Sequence, residues 1–279
     1  MDQASNILIT RKPKRLFTFG CSFSNWIWGG MWPEILAYEL NIPFHNYGRA
    51  GAGNQYMMCM LAQADNFYKF NSDDLIIIQW TNVCREDKYV NGVWYTPGNI
   101  FTQAVYDDRY VAKWADPEGY LLRDLPGIKF VDSFLESKGC QYHFLSMVDI
   151  VSKFNQWADE TKLCQSIVDI FSDVLPKIHK SFYDVLWTGS ISVKKKQDLE
   201  LIGNRFFDGH PHPAESLEYL QKVFSGHTFN GKTIRTVQEL QQKWIYKMKK
   251  YYNKAMDYEY EVKQATTIYP SIPVEGIIR

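Results

Sequence analysis

The stretch Phe17-Thr18-Phe19-Gly20-Cys21-Ser22-Phe23-Ser24 decides how the rest of the chain is read. An apolar, aromatic run stops at a glycine, and a serine follows two residues later. A helical pattern starts soon after, at Pro33. This is how a chain ends a buried strand and holds a hydroxyl beyond its carboxyl end, where open α/β sheets bind their ligands. Working outward, the run 15–20 is the first of four strand-like segments; the others are 44–47, 74–80 and 141–148. Their apolar residues are continuous rather than alternating, which predicts a parallel sheet covered on both faces. Helical patterns at 33–40, 54–67 and 131–137 fall between them. The βαβα order predicts a three-layer, doubly wound parallel sheet with right-handed crossovers.

The 279 residues suit one large α/β domain with insertions, or two small ones. Lys plus Arg equals Asp plus Glu at 31 each, so charge points to neither nucleic acid nor an anionic membrane as a partner. No apolar run of about 18 residues is present, so no membrane span is expected. Residues 1–15 lack the apolar centre of a secretory signal, which makes cytoplasmic location the expectation. Five scattered cysteines, Cys21, Cys59, Cys84, Cys140 and Cys164, form no metal-type spacing and read as reduced thiols. No metal and no organic cofactor is implied. Aromatics reach 16%. Most belong to a core, but Trp26, Trp28, Trp32, Trp94 and Trp114 would also suit a sugar-binding rim.

Two regions break the α/β pattern. Residues 84–127 mix Asp, Gly, Pro and aromatics with little periodicity, and read as a long loop insertion, a lid or binding excursion. Residues 225–279 read as a helical C-terminal extension with an irregular tail. There, Thr236-x-x-Glu239 reads as a capping box. Val237, Leu240, Trp244, Met248 and Tyr251 then form the stripe of a helix docked on residues 1–224.

Four blocks together resemble the SGNH (GDSL-like) hydrolase family. Gly20-Cys21-Ser22 stands where that family has Gly-Asp-Ser, and Trp32-Pro33-x-x-Leu36-Ala37-x-x-Leu40 matches its next helix. Asn46-Tyr47-Gly48-Arg49-Ala50-Gly51 matches Asn-x-Gly-x-x-Gly. Thr81-Asn82 stands at the third block, and Asp208-Gly209-His210-Pro211 at the Asp-x-x-His-Pro block. The resemblance implies the flavodoxin-like fold of that family and a serine esterase. Ser22 would be the nucleophile, His210 the base and Asp208 its orienting carboxylate. The backbone N–H groups of Ser22 and Gly51 and the amide of Asn82 would form the oxyanion hole. Glycine at 51 would keep a side chain from crowding the oxyanion.

The chain departs from the family in places. Cys21 replaces the Asp, the third block lacks its leading Gly and second Asp, and the last block is one residue short if His210 is the base. His212 is the alternative base. His210 is preferred because Pro211 follows it, whereas His212 reads as the N-terminal residue of a helix. Cys21 is expected to face inward as a small apolar residue, although with Arg85, Trp94 and His212 it is also a candidate lining residue. Arg85 could meet a substrate hydroxyl or carboxylate; a solvated charged turn explains it equally.

The implied substrate is a small ester or acylated glycan, with an O-acyl group, an acetyl above all, as the target. The alternative is a weakly active or inactive glycan-binding or structural protein on the same fold. The degraded third and fourth blocks resemble phage-encoded members. That origin would place the chain in a virion assembly, or in the host-cell cytoplasm.

Overall fold

The computed structural model describes residues 6–26, 29–101, 106–151, 162–186 and 210–252. In chain order these form β1 (Arg15–Phe19), α1 (Trp32–Leu40), β2 (Phe44–Asn46), α2 (Asn54–Tyr68) and β3 (Asp74–Trp80). Next come β4 (Arg85–Val90), β5 (Val93–Asn99), α3 (Asp108–Trp114), α4 (Pro117–Lys138) and β6 (Gln141–Ser146). Last are α5 (Lys162–Ile170), α6 (Phe182–Leu186), α7 (Pro213–Val223) and α8 (Gly231–Tyr252).

The main sheet is parallel, with strand order β2-β1-β3-β6. One further parallel bridge, Ile178 to Phe144, extends it beyond β6. Every residue of β3 is buried, as its unbroken Leu75-Ile76-Ile77-Ile78 run predicts. Each such side chain contributes about 1.5–3 kcal/mol by leaving water. Helices α1, α6, α7 and α8 contact one another, and α2, α4 and α5 form a second group. Together with the sheet they make a three-layer, doubly wound α/β fold. The chain leaves β1 for β2 on one side and returns to β3 on the other. The carboxyl ends of β1 and β3 therefore flank the point where strand order reverses, the usual crevice for a ligand.

Three expectations change. The segment 84–127 is not aperiodic: β4 and β5 pair as an antiparallel hairpin, followed by α3 and the first half of α4. The turn is Asn91-Gly92, with φ of 51° and 82°, the left-handed pair a two-residue hairpin needs. Charged Arg85-Glu86-Asp87-Lys88 hid β4, because a two-stranded ribbon needs no continuous apolar face. Helix α4 begins fourteen residues before 131, at Pro117, where the Asp116 side chain accepts from the Glu118 N–H. Pro126 and Gly127 in its middle disguised it. Helix α8 starts at Gly231 and not at Thr236: the Asn230 side chain accepts from the Thr233 N–H at 2.9 Å, and Thr236 lies in the second turn. Its stripe nonetheless docks as read, with Val237, Trp244 and Met248 buried. The tail 265–279 lies outside the described residues.

Candidate active site

Three loops meet at the carboxyl edge of the sheet. The first follows β1. Gly20 is needed there because a Cβ would fall 2.0 Å from the Ser24 hydroxyl, which crosses over it. Ser24 is wholly buried; its Oγ donates to Gln79 Oε1 at 2.8 Å and accepts from Trp32 Nε1 at 3.1 Å. It is a structural tie. Ser22, 5% exposed, occupies the turn between them.

The second loop follows β2 and is stitched to the first. The Arg49 N–H donates to the Gly20 carbonyl at 3.0 Å, Asn46 Nδ2 to the Ser24 carbonyl at 2.9 Å, and Asn25 Nδ2 to the Gly48 carbonyl at 2.9 Å. Gly51 has φ of 74°, and a Cβ there would lie 2.1 Å from the Thr96 carbonyl oxygen of β5. The hairpin lying against it is thus by itself sufficient reason for glycine. Arg49 Nη2 also donates to the Trp94 carbonyl, and Thr96 Oγ1 to the Ala50 carbonyl, so the hairpin rides on this loop.

The third loop follows β3. Asn82 Oδ1 accepts from the Cys84 N–H at 2.8 Å, which leaves Nδ2 as the donor end of that amide. Its place relative to Gly51 is set by Asn54, a residue the sequence reading passed over. Wholly buried at the start of α2, Asn54 accepts from the Thr81 N–H at 2.9 Å. Its Nδ2 donates to the Thr81 carbonyl at 3.1 Å and to Asp124 Oδ2 at 2.7 Å. Asp124 is gripped by Arg123, whose Nη2 also donates to the Val83 and Arg85 carbonyls. Asp87 of β4 accepts from the Gly53 and Tyr56 N–H groups, both at 2.8 Å, so a carboxylate caps the α2 N-terminus. Burial raises the pKa of Asp87 against those two N–H bonds, and raises that of Asp124 against Arg123 and Asn54. The signal for this network was two carboxylates, Asp87 and Asp124, within the one segment 84–127 read as a loop, and sequence spacing could not pair them with Asn54 and Gly53.

The His210 ring stacks on Trp26 with centroids 3.6 Å apart, and meets Phe23 edge-on at 5.6 Å. It therefore lies beside the turn that holds Ser22. His212 is elsewhere in function: wholly buried, it is the N-cap of α7, where Nδ1 accepts from the Glu215 N–H, and its ring packs 5.4 Å from Trp244. It does not line the cleft. Nor does Cys21, which is wholly buried with its thiol 3.6 Å from Met147 Sδ. As expected for a small apolar residue, it faces the core. Trp94 is half-buried against Tyr56 and Tyr89. Asp208 lies outside the described residues. Among the described residues, no group of three or more His, Cys, Asp or Glu is placed to hold a metal ion, and no helix is long and apolar enough to cross a membrane.

No family model and no curated protein matches this chain. Solved structures do. A G-D-S-L family protein from Desulfitobacterium hafniense is similar at 14% identity and a TM-score of 0.43, over 76% of this chain and 98% of that one. A GDSL-like lipase from Bacteroides thetaiotaomicron is similar at 12% and 0.41, over 79% and 92%. An acetyl xylan esterase from Butyrivibrio proteoclasticus is similar at 11% and 0.39, over 78% and 64%. Likeness at this level assigns no role to any residue.

Proposed function

We propose that the chain is a serine esterase of the SGNH type. The support for this reading is the strand order, which puts the loops that carry Ser22, Gly51 and Asn82 after the adjacent strands β1, β2 and β3, together with the His210 ring stacked on Trp26 of the first loop. In the proposed step, Ser22 Oγ adds to an ester carbonyl carbon while its proton passes to His210. The carbonyl π pair becomes an oxyanion, held by the Ser22 and Gly51 N–H groups and Asn82 Nδ2. Collapse expels the alcohol, which takes the proton back from the imidazolium, and water repeats the sequence to free the acid. Asp208 would orient the imidazole. The unit carrying this chemistry would be residues 1–224, with 84–127 as its insertion and 225–279 as its extension.

The substrate class we favour is an O-acyl group on a carbohydrate. The support is the exposed aromatic side chains of the hairpin, Tyr89 and Tyr95, beside half-buried Trp94. The same hairpin favours a second reading, a module that holds a glycan without turning it over, as on a phage particle.

A fluorophosphonate probe, applied to wild type, Ser22→Ala, His210→Ala and His212→Ala, separates these. The esterase labels as wild type and as a folded His212 variant, and loses labelling at Ser22→Ala and His210→Ala. A wild type that binds acetylated oligosaccharide and never labels is the second reading. Labelling that survives His210→Ala and fails in a folded His212→Ala would move the base to His212.

A further inference from the structure

The Arg85 guanidinium has an unusual set of neighbours. Nη1 donates to the Ala52 carbonyl at 3.0 Å, and Nη2 approaches Met147 Sδ at 3.4 Å. The same sulfur lies 3.6 Å from Cys21 Sγ and 3.6 Å from Thr81 Oγ1. Ala52 follows Gly51, Cys21 precedes Ser22 and Thr81 precedes Asn82. The guanidinium thus reaches, directly or across one sulfur atom, the chain neighbour of each oxyanion donor. Cys21, Ala52 and Thr81 are all wholly buried, and Met147 nearly so. The guanidinium thus meets the three loops through buried groups.

The cation also lacks a direct ion pair among the described residues. Arg85 Nε is buried without a hydrogen-bond partner. Among the described residues no carboxylate forms an ion pair with this side chain; its acceptors are one carbonyl and one thioether. Arg123, by contrast, holds Asp124 at 2.6 Å. The nearest coupled carboxylate, Asp87, is held by the Gly53 and Tyr56 N–H groups instead of pairing directly with Arg85, and a half-buried cation with no direct ion pair favours negative charge that appears nearby. In the reaction proposed above, one negative charge appears, on the carbonyl oxygen, at the spot these three loops enclose.

We infer that Arg85 is a positioning residue for the oxyanion, supplying a fixed positive charge next to the three loops and holding the Gly51 loop through the Ala52 carbonyl. This rests on the esterase reading. It also gives a physical place to the altered third block: the charge comes from β4, three residues after Asn82. Preorganised charge of this kind acts without rearrangement when the transition state forms.

Steady-state hydrolysis of 4-nitrophenyl acetate by wild type, Arg85→Lys, Arg85→Met and Arg85→Gln tests it, with the fluorophosphonate labelling rate and thermal unfolding measured alongside. Met and Gln should lower kcat by about tenfold or more, with KM within about twofold and labelling slowed in proportion. Lys should recover most of kcat by restoring the charge. Gln keeps a donor for Ala52 and lacks the charge, so it reads the charge even if Met does not fold. A folded Gln variant with wild-type kcat, or a Lys variant as slow as Gln, overturns the inference while leaving the esterase intact. A wild type that neither hydrolyses the ester nor labels overturns the esterase and this inference together.

Discussion

The His210 imidazole lies face to face with the Trp26 indole, ring centroids 3.6 Å apart and planes 17° apart. Trp26 is four residues beyond Ser22, so the turn that presents the hydroxyl also carries the platform for the imidazole. A ring held on one face loses rotational freedom before substrate arrives, and a misplacement of about 1 Å in such a site costs on the order of a hundredfold in rate. Trp26→Ala should therefore lower kcat by at least about tenfold, with KM and unfolding temperature little changed, because the indole is not part of the central core. Trp26→Phe should recover part of the loss. Hydrolysis kinetics beside a thermal melt read both, and an unchanged kcat in Trp26→Ala removes the platform role.

Asn54 ties the Gly51 loop to the Asn82 loop through both polar groups of the Thr81 peptide. Replacing it with Ala strands a buried N–H, a buried C=O and one lobe of Asp124. Each orphaned group costs about 1–3 kcal/mol. Asn54→Ala should lose several kcal/mol in a urea titration. Asn54→Asp should lose activity as well, since it turns a donor into a second carboxylate facing Asp124 at a site now 2.7 Å across. Pairing Asn54→Asp with Asp124→Asn should restore stability in part. A single Asp variant as stable as wild type would deny the tie.

Gly51 faces backbone rather than a movable side chain. At φ of 74°, with a Cβ 2.1 Å from the Thr96 oxygen, Gly51→Ala must displace the hairpin. The left-handed conformation alone costs an L-residue about 1 kcal/mol, and the collision adds to it. Tyrosine and tryptophan fluorescence and protease sensitivity of the 85–99 segment should both change, and esterase activity should fall. At Gly48, by contrast, the three atoms nearest an added Cβ belong to the side chains of Asn25, Ser24 and Asn46, and φ lies outside the left-handed region; the damage of Gly48→Ala should be smaller.

His143 and His179 form a buried relay. The His143 Nε2 donates to the Leu8 carbonyl at 2.9 Å, so its Nδ1 is the acceptor for His179 Nε2 at 3.3 Å. Both rings pack on Phe224. That arrangement requires neutral rings, since a proton on His143 Nδ1 would oppose the His179 donor. Burial accordingly lowers their pKa values to about 4 and about 3. Because the folded values lie below the unfolded one, the unfolded chain binds more protons between about pH 3 and 6.5. Stability is therefore full above about pH 6.5 and falls as pH drops through that window, by a few kcal/mol in all. His143→Gln, which keeps a donor for Leu8 and does not titrate, should flatten the pH dependence of the urea midpoint between pH 4 and 6. An unaltered slope would place the acid sensitivity elsewhere.

Residues 15–24 and 74–80 were legible from sequence because their chemistry is local. A short continuous apolar run rich in aromatic and β-branched residues and bounded by turn signals reads as a strand covered on both faces, and a glycine that ends it marks a turn. That much determined the parallel sheet, its doubly wound order and the position of Ser22 at a strand end. The blocks Asn46–Gly51 and Thr81-Asn82 could be lined up with it along the chain. Hairpin Arg85–Asn99 had its signal in Asn91-Gly92, but its strands lack an apolar period, since they find their partners in each other and in the Gly51 loop. Only the tertiary structure could decide that Gly51 answers to Thr96, that Asn54 bridges to Thr81 and Asp124, and that Arg85 reaches the Ala52 carbonyl and Met147 Sδ. Each depends on groups dozens of residues apart coming within about 3 Å. Such pairings are fixed by packing and by the need of buried polar atoms for partners, neither of which sequence spacing records.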